Sequence, residues 1–575
     1  MCYIKLESVN SFSLKKGERL FNQAGHTIFR TSSALQNHRD CPIADGGEEM
    51  DRRSIRFNED EYIRRHMESR SRQRAKERRI RTAIIIIVIL AVLTSACAAG
   101  YFYLKHKQDP NSPAFSLSTL TEMLPFGKKS SDPAGSVAGN PASPGMIGAG
   151  VAETETEEPT TEAPTKPPLD IQIQNLIAQA DRLSAGYDNP AAVELIKTFE
   201  GYENVPELTA AIARYEATQA SYVKYEALDT ITHVFYHTLI ADTSLAFDGD
   251  EDARGYNQVM TTIDEFNKIT LEMYNRGFVL VSLHDIAHME TGEDGQQHMV
   301  WGDIYLPEGK KPYVISQDDV SYYHYMDGDG FATKIVVGED GKPTCEYVQP
   351  DGTVVYGAYD MVPLIDKFVE EHPDASYRGA KGIIALTGYN GILGYRTDFC
   401  YETREDLDRL QQAFLDSHPD FDIEKERQQA REVAACMKAD GWEFASHSWG
   451  HRDLGEISEY EFNRDAGWWD EYVNPLLGGD TDIIIYAFGA DIGSWHPYTY
   501  DNWLYAKLKE LGFNYLCNVD SNVYWVQKGD DYLRQGRRNL DGQRMWEAIS
   551  GGKDRLSDLF DAQAVFDSAR PTPVE

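Results

Sequence analysis

The chain has 575 residues, 42% of them hydrophobic and 11% aromatic, which is enough for a sizeable core plus accessory segments. Its formal charge of −36 is unevenly spread: residues 1–107 carry 20 Lys/Arg and 12 Asp/Glu, and the remainder 36 and 80. An outer part that acidic does not seek nucleic acid, whose phosphates demand a basic surface. Its seven cysteines contain no C-x-x-C pair, which excludes a zinc ribbon or a thioredoxin motif. The last four (Cys345, Cys400, Cys436 and Cys517) are expected as buried free thiols that behave as small hydrophobes.

In chain order, residues 1–82 form a basic tail, dense in Arg up to Arg81. Residues 83–104 read AIIIIVILAVLTSACAAGYFYL, an uncharged run close to the ~20 residues a helix needs to cross hydrocarbon. Tyr101 and Tyr103 stand at its outer end, where amphipathic rings favour the headgroup interface. Arginines crowd before it and only Lys105 and Lys107 follow, so the positive-inside bias predicts a single-pass anchor in the cell membrane. The N-terminus is then cytoplasmic and everything after the span extracytoplasmic. Residues 105–168 turn to Pro, Ser, Thr and Glu, a composition that buries too little apolar surface to order and stays extended as a spacer. Over residues 169–226 apolar positions recur every three or four residues, punctuated by Gly186, Pro190 and Pro206, which predicts a helical stalk of about three short helices.

From residue 227 to 575 strands and helices alternate. Candidate strands are 233–236, 278–283, 313–316, 382–387, 443–446, 482–487 and 513–517. Continuous apolar runs such as GIIALT suit parallel strands covered on both faces, so the expected class is α/β, a (β/α) barrel of about seven units, incomplete. The turn signals Glu339-Asp340-Gly341 and Pro350-Asp351-Gly352 predict an inserted β-hairpin region near 331–356.

Two motifs fall at predicted strand ends. The strand PYVIS runs into Gln317-Asp318-Asp319-Val320, and at the C-terminal end of a barrel strand two adjacent carboxylates can divide metal binding and proton handling. The strand WEFAS runs into His447-Ser448-Trp449-Gly450-His451, two histidines four apart that can meet on one turn to bind zinc. No Glu stands between them, so this is not a zincin helix. An Asp and two His leave coordination positions open to water. Elsewhere, Asp248-Gly249-Asp250-Glu251-Asp252 begins like a calcium loop, but Ala253 and Val259 stand where Gly and Glu are needed, which predicts a solvated acidic loop. The turn from Tyr325 to Gly330 is a candidate for the mouth of the site, and Trp449 and Trp495 are candidates for stacking on sugar rings.

With these elements in order, residues of about 230–575 resemble the polysaccharide deacetylase family, carbohydrate esterase family 4. Asp318-Asp319 is similar to the family's first motif and His447-Ser448-Trp449-Gly450-His451 to its second. Val234-Phe235-Tyr236-His237 and Ile485-Tyr486-Ala487-Phe488-Gly489 are similar to elements of a branch acting on biofilm poly-N-acetylglucosamine. The resemblance implies Asp319, His447 and His451 as ligands of a divalent metal ion, most commonly Zn2+, and Asp318 as general base. It implies a general acid, for which His237, His496 or a water is the candidate, and substrate contacts at Phe488 and Gly489; Arg396 and Trp449 are added as substrate-contact candidates from their own positions. The implied substrate is an N-acetylated polysaccharide, poly-N-acetylglucosamine or peptidoglycan. Three departures stand out: Gln317 and Val320 flank the aspartates where the family has Phe and Gly, no Arg adjoins residues 486–489, and no His follows His496. Arg396 is then the candidate for orienting the base. Two other classes stay open, a glycan-binding or scaffolding protein with an impaired acid–base set, and a glycosidase or O-acetyl esterase on the same barrel. A glycosidase needs two carboxylates about 5–9.5 Å apart and no metal.

Overall fold

The computed structural model describes residues 168–494, 496–520 and 524–574. The apolar runs lack alternation because both faces of each strand are covered, and with one polar strand they form eight of the nine strands of one sheet. These are β1 (Thr232–Tyr236), β2 (Phe278–Leu280), β3 (Lys311–Asp318), β4 (Ile383–Leu386), β5 (Glu443–Ser446), β6 (Ile483–Ile485), β7 (Tyr515–Val519) and β8 (Leu533–Asn539). Their order is β4-β5-β6-β7-β8-β1-β3, and β4 pairs back onto β3, so seven parallel strands close a ring.

The ring is closed where an incomplete one was expected, and two strands account for the difference. β2 lies beside the ring, pairing with the start of β3 from Phe278↔Lys311 to Leu280↔Tyr313, while β4 takes over the end of β3 from Ile383↔Ser316 to Ala385↔Asp318. β8 was not foreseen as a strand, because Leu-Arg-Gln-Gly-Arg-Arg-Asn has no apolar run; six of its seven residues are nevertheless buried. β3 also begins earlier and ends later than 313–316, so that Asp318 is its last residue.

Side chains alternate across the ring wall. Along β3, Tyr313 and Ile315 join the apolar cluster beneath the outer helices, with Ile269 and Met273 of helix Ile263–Asn275 and Ile365 of helix Met361–Glu371. Val314 joins a second cluster inside the ring with Ala385, Ala445, Ile485 and Cys517. Three further helices, Leu169–Ala185, Asn189–Lys197 and Pro206–Ser221, bury their own cluster around Ala180, Ile196, Leu208 and Tyr215. Between β3 and β4 a three-stranded antiparallel sheet (Lys334–Val337, Pro343–Val348, Val354–Gly357) turns at Gly338–Lys342 and Gln349–Thr353. Cys345, Cys400 and Cys517 are buried and Cys436 half-buried, all free thiols. No helix of the described residues is long and apolar enough to cross a membrane. The expected span at 83–104, the basic tail before it and the spacer up to residue 167 lie outside the described residues.

Candidate active site

The even-numbered residues of β3 face the barrel interior, which brings Asp318 to the C-terminal mouth of the ring, 3% exposed. Asp319 follows at φ +61°, a left-handed turn out of the strand. His447 comes directly after β5; its Nδ1 donates to the Ile485 carbonyl (2.8 Å), and its Nε2 lies 4.0 Å from Asp318 Oδ2. His451 Nε2 lies 3.5 Å from Asp319 Oδ2, and the two imidazole rings meet edge to face at 4.9 Å. One ligand atom each from Asp319, His447 and His451 lie within 4.8 Å of one another. This donor set fits a divalent ion with open positions. Burial and the adjacent histidines hold His451 down to about 4 against the pull of Asp319, so its ring is neutral near pH 7, as ligation requires.

Asp318 has a partner that sequence reading missed. From β8, Arg537 reaches across β1 and donates Nη1 to Asp318 Oδ1 (2.8 Å) and Nη2 to Oδ2 (2.9 Å), a bidentate pair. Burial works against charge on Asp318, but Arg537, and after it His447, prevail and hold the carboxyl down to about 2. The guanidinium lies 4.1 Å from the centre of the Phe235 ring and also donates to Ser316 Oγ (3.1 Å). His233 completes the layer, its Nε2 2.9 Å from Ser316 Oγ and its Nδ1 3.1 Å from Gln535 Oε1. The usable signal was a strand-length gap between the turn residues Gly529-Asp530-Asp531 and Leu540-Asp541-Gly542, filled by polar residues of which Gln535 and Arg537 find partners inside the ring.

Arg396 does not orient the base. It is buried and donates Nη1 to the carbonyls of Ser321 (3.3 Å) and Tyr322 (2.9 Å), bracing the loop after β3. His237 follows β1, donates Nδ1 to the Val259 carbonyl (3.2 Å), and acts electrostatically on Asp318, Asp319 and His451, so it shares their site. His496 is exposed on the loop after β6, where its main-chain carbonyl accepts from Arg534 Nη1 (3.0 Å). Phe488, at φ +61°, sets its ring 4.5 Å from that of His451. Gly489 allows this turn, since a Cβ there would lie 2.5 Å from Val519 Cβ. Trp449 is core, 3% exposed and packed on Phe399 (5.3 Å) and Trp468 (4.8 Å), so its ring has no face to offer a sugar. Trp495 lies outside the described residues. The acidic loop gains a third carboxylate: Asp250, Asp252 and Asp329 offer oxygens within 4.8 Å of one another, and burial with these like charges pushes Asp329 up to about 6.

Residues 418–516 match the family model described as Polysaccharide deacetylase. The match supports a deacetylase hydrolase. It takes in β5, β6 and both histidines of the metal-ligand candidates, whereas the aspartates, His237 and Arg537 lie outside it and join the site through the barrel. No curated protein matches the sequence. Among solved structures, that of the Streptococcus pyogenes deacetylase PplD in complex with acetate is similar over 56% of this chain and 95% of that one, at 12% identity and a TM-score of 0.28. That likeness is too distant to bear on the site.

Proposed function

We propose that the protein removes N-acetyl groups from an N-acetylglucosamine-containing polysaccharide by metal-dependent hydrolysis, in a domain held outside the cell by the apolar segment at 83–104. The observation that carries this reading is the convergence of Asp319, His447 and His451 beside an ionised Asp318 paired to Arg537. Asp319, His447 and His451 would hold a divalent ion, zinc by the family's habit, which lowers the pKa of a bound water and polarises the acetyl carbonyl. Asp318, fixed in orientation by Arg537, takes a proton from the attacking water. His237, anchored through Nδ1 at Val259, gives a proton to the departing amine nitrogen when it is protonated. The amide C–N bond breaks, the water oxygen ends on the acetyl carbon, and the products are acetate and a free amine on the sugar. Phe488 and Gly489 line the approach beside His451. Poly-N-acetylglucosamine is the first candidate glycan, on the Tyr236-His237 and Phe488-Gly489 elements, with peptidoglycan the second.

The test is acetate release by the full chain from N-acetylglucosamine oligomers and from peptidoglycan, with and without a chelator, beside Asp318→Asn and His447→Ala. Chelator-sensitive release abolished by both substitutions is expected. Metal binding without turnover on either glycan would move the protein to the glycan-binding class, and chelator-resistant cleavage of the glycan chain would move it to the glycosidases.

A further inference from the structure

The turn His447-Ser448-Trp449-Gly450-His451 places two ligand candidates on five residues, in a backbone those residues do not choose unaided. Ser448 stands at φ +58° and His451 at φ +49°, in the left-handed region that side chains with a Cβ avoid. Such residues persist only where their surroundings over-determine them. Some of that constraint is local, since Ser448 Oγ accepts from Arg452 N (2.6 Å), and some comes from the loop after β4, where Gly388 N (2.9 Å) and Tyr389 N (3.0 Å) donate to the Trp449 carbonyl. The two amides at the centre of the turn, Trp449 N and Gly450 N, are both taken by one distant carboxylate. Asp465, on helix Glu459–Trp468, receives them on Oδ2 and Oδ1, each at 2.8 Å, and is 6% exposed. Residue 450 is glycine for a matching reason, since a Cβ there would lie 2.9 Å from Asp465 Oδ1.

We propose that Asp465 is a positioning residue for the metal centre, clamping both central amides of the turn so that His447 and His451 point at one ion. The proposal rests on Asp319, His447 and His451 being the ligand set. A carboxylate suits the task because it offers an acceptor to each amide, whereas an Asn of the same shape accepts with one atom and turns N–H bonds toward the other donor. Partners that orient ligands in this way change metal affinity by about 10–100-fold when removed.

The experiment titrates Co2+ and Zn2+ into the metal-free full chain and compares it with Asp465→Asn. The control is Asp366→Asn, which alters another buried carboxylate, the one on helix Met361–Glu371 that accepts from Lys381 Nζ (2.7 Å) and Trp442 Nε1 (2.9 Å). Asp465→Asn is expected to weaken binding of both ions by about 10–100-fold and to shift the visible absorption of bound Co2+. Asp366→Asn is expected to lower the thermal midpoint and leave both readouts unchanged. Unchanged affinity and spectrum in Asp465→Asn would overturn the proposal while leaving the ligand set intact. An equal loss of affinity in Asp366→Asn would reduce the effect to general loosening and overturn it as well. Absence of binding by the unsubstituted chain would instead remove the ligand set, and the role of Asp465 with it. If Asp465→Asn fails to fold, Gly450→Ala crowds the same carboxylate oxygen and is read by the same two measurements, with the same expected loss.

Discussion

Asp318 has both carboxylate oxygens taken by a single guanidinium, inside a polar layer where each neighbour already has a partner. Such a pair is strong only as a unit, because either member left alone is a buried charge without compensation. Arg537→Ala is therefore expected to destabilise the fold by about 3–5 kcal/mol, measured by denaturant unfolding. Arg537→Lys keeps the charge but loses the planar fork, so its expected mark is kinetic, with kcat reduced on the order of 10²-fold from misorientation of Asp318. A lysine variant with full kcat would show that orientation of the base does not limit the reaction. His237→Gln separates proton donation from ligation: a loss of roughly 10²–10⁴ in rate with unchanged metal affinity is expected. If both fall together, His237 belongs with the ligands rather than with the acid. The aspartate pair and the histidine pair were legible in the sequence because each is a short pattern at the end of an apolar strand. Arg537 was not, because its significance depends on a contact 219 residues away in the chain.

At the level of elements, the loops after β3, β5 and β6 all turn through left-handed residues, Asp319, Ser448 and Phe488, beside the candidate site. The loop after β6 has little room. Gly489 stands at φ +65° with Val519 of the neighbouring strand β7 against the missing Cβ. Gly489→Ala should cost about 1–3 kcal/mol by overpacking and move Phe488 off His451. The expected readout is a lowered thermal midpoint together with a raised KM; an unchanged KM would mean that Phe488 makes no contact with substrate. Strand boundaries followed a similar logic. Apolar runs located β4 and β5 to within a residue or so, but β3 extends to Asp318 because the ladder to β4 continues through Ser316 and Gln317, whose polar side chains break the run. Gln317 stays in the strand because its Nε2 donates to the His237 carbonyl (3.1 Å) and to Asp360 Oδ1 (2.6 Å).

On the scale of the whole molecule, two ionic clusters tie distant segments together. Glu265 on helix Ile263–Asn275 and Arg570 in the C-terminal segment form a pair with neither side chain exposed, and Arg570 also donates to the carbonyls of Asn257 and Met260. At the opposite end of the barrel from the site, His284 Nδ1 lies 2.6 Å from Glu443 Oε1 and its Nε2 3.3 Å from Asp482 Oδ2. Partial burial opposes charge on His284, whose side chain stays 42% exposed, but Asp482 and Glu443 prevail and push it up to about 10 from 6.5. A raised folded-state value means that this contribution is fully present below about pH 6.5 and is lost as pH climbs through about 10. The thermal-midpoint difference between the intact protein and His284→Asn should be largest at pH 6 and vanish near pH 10. A difference independent of pH would count against the charged bridge.

By itself the sequence determined the class of the fold and the chemistry of the ligand candidates. Apolar runs of four or five residues separated by amphipathic stretches have few ways to hide both faces other than a parallel sheet under helices, and an Asp pair or a His-x-x-x-His turn is legible over a handful of residues. Tertiary structure alone decided that the ring closes, that a strand of buried arginines closes it, and that Trp449 and Arg396 serve the scaffold while Arg537 pairs with Asp318. Each of those outcomes depends on which polar group meets which partner inside a wall that local pattern does not describe. A buried charge is tolerable only where a partner from another strand arrives, and no composition or periodicity announces that arrival in advance.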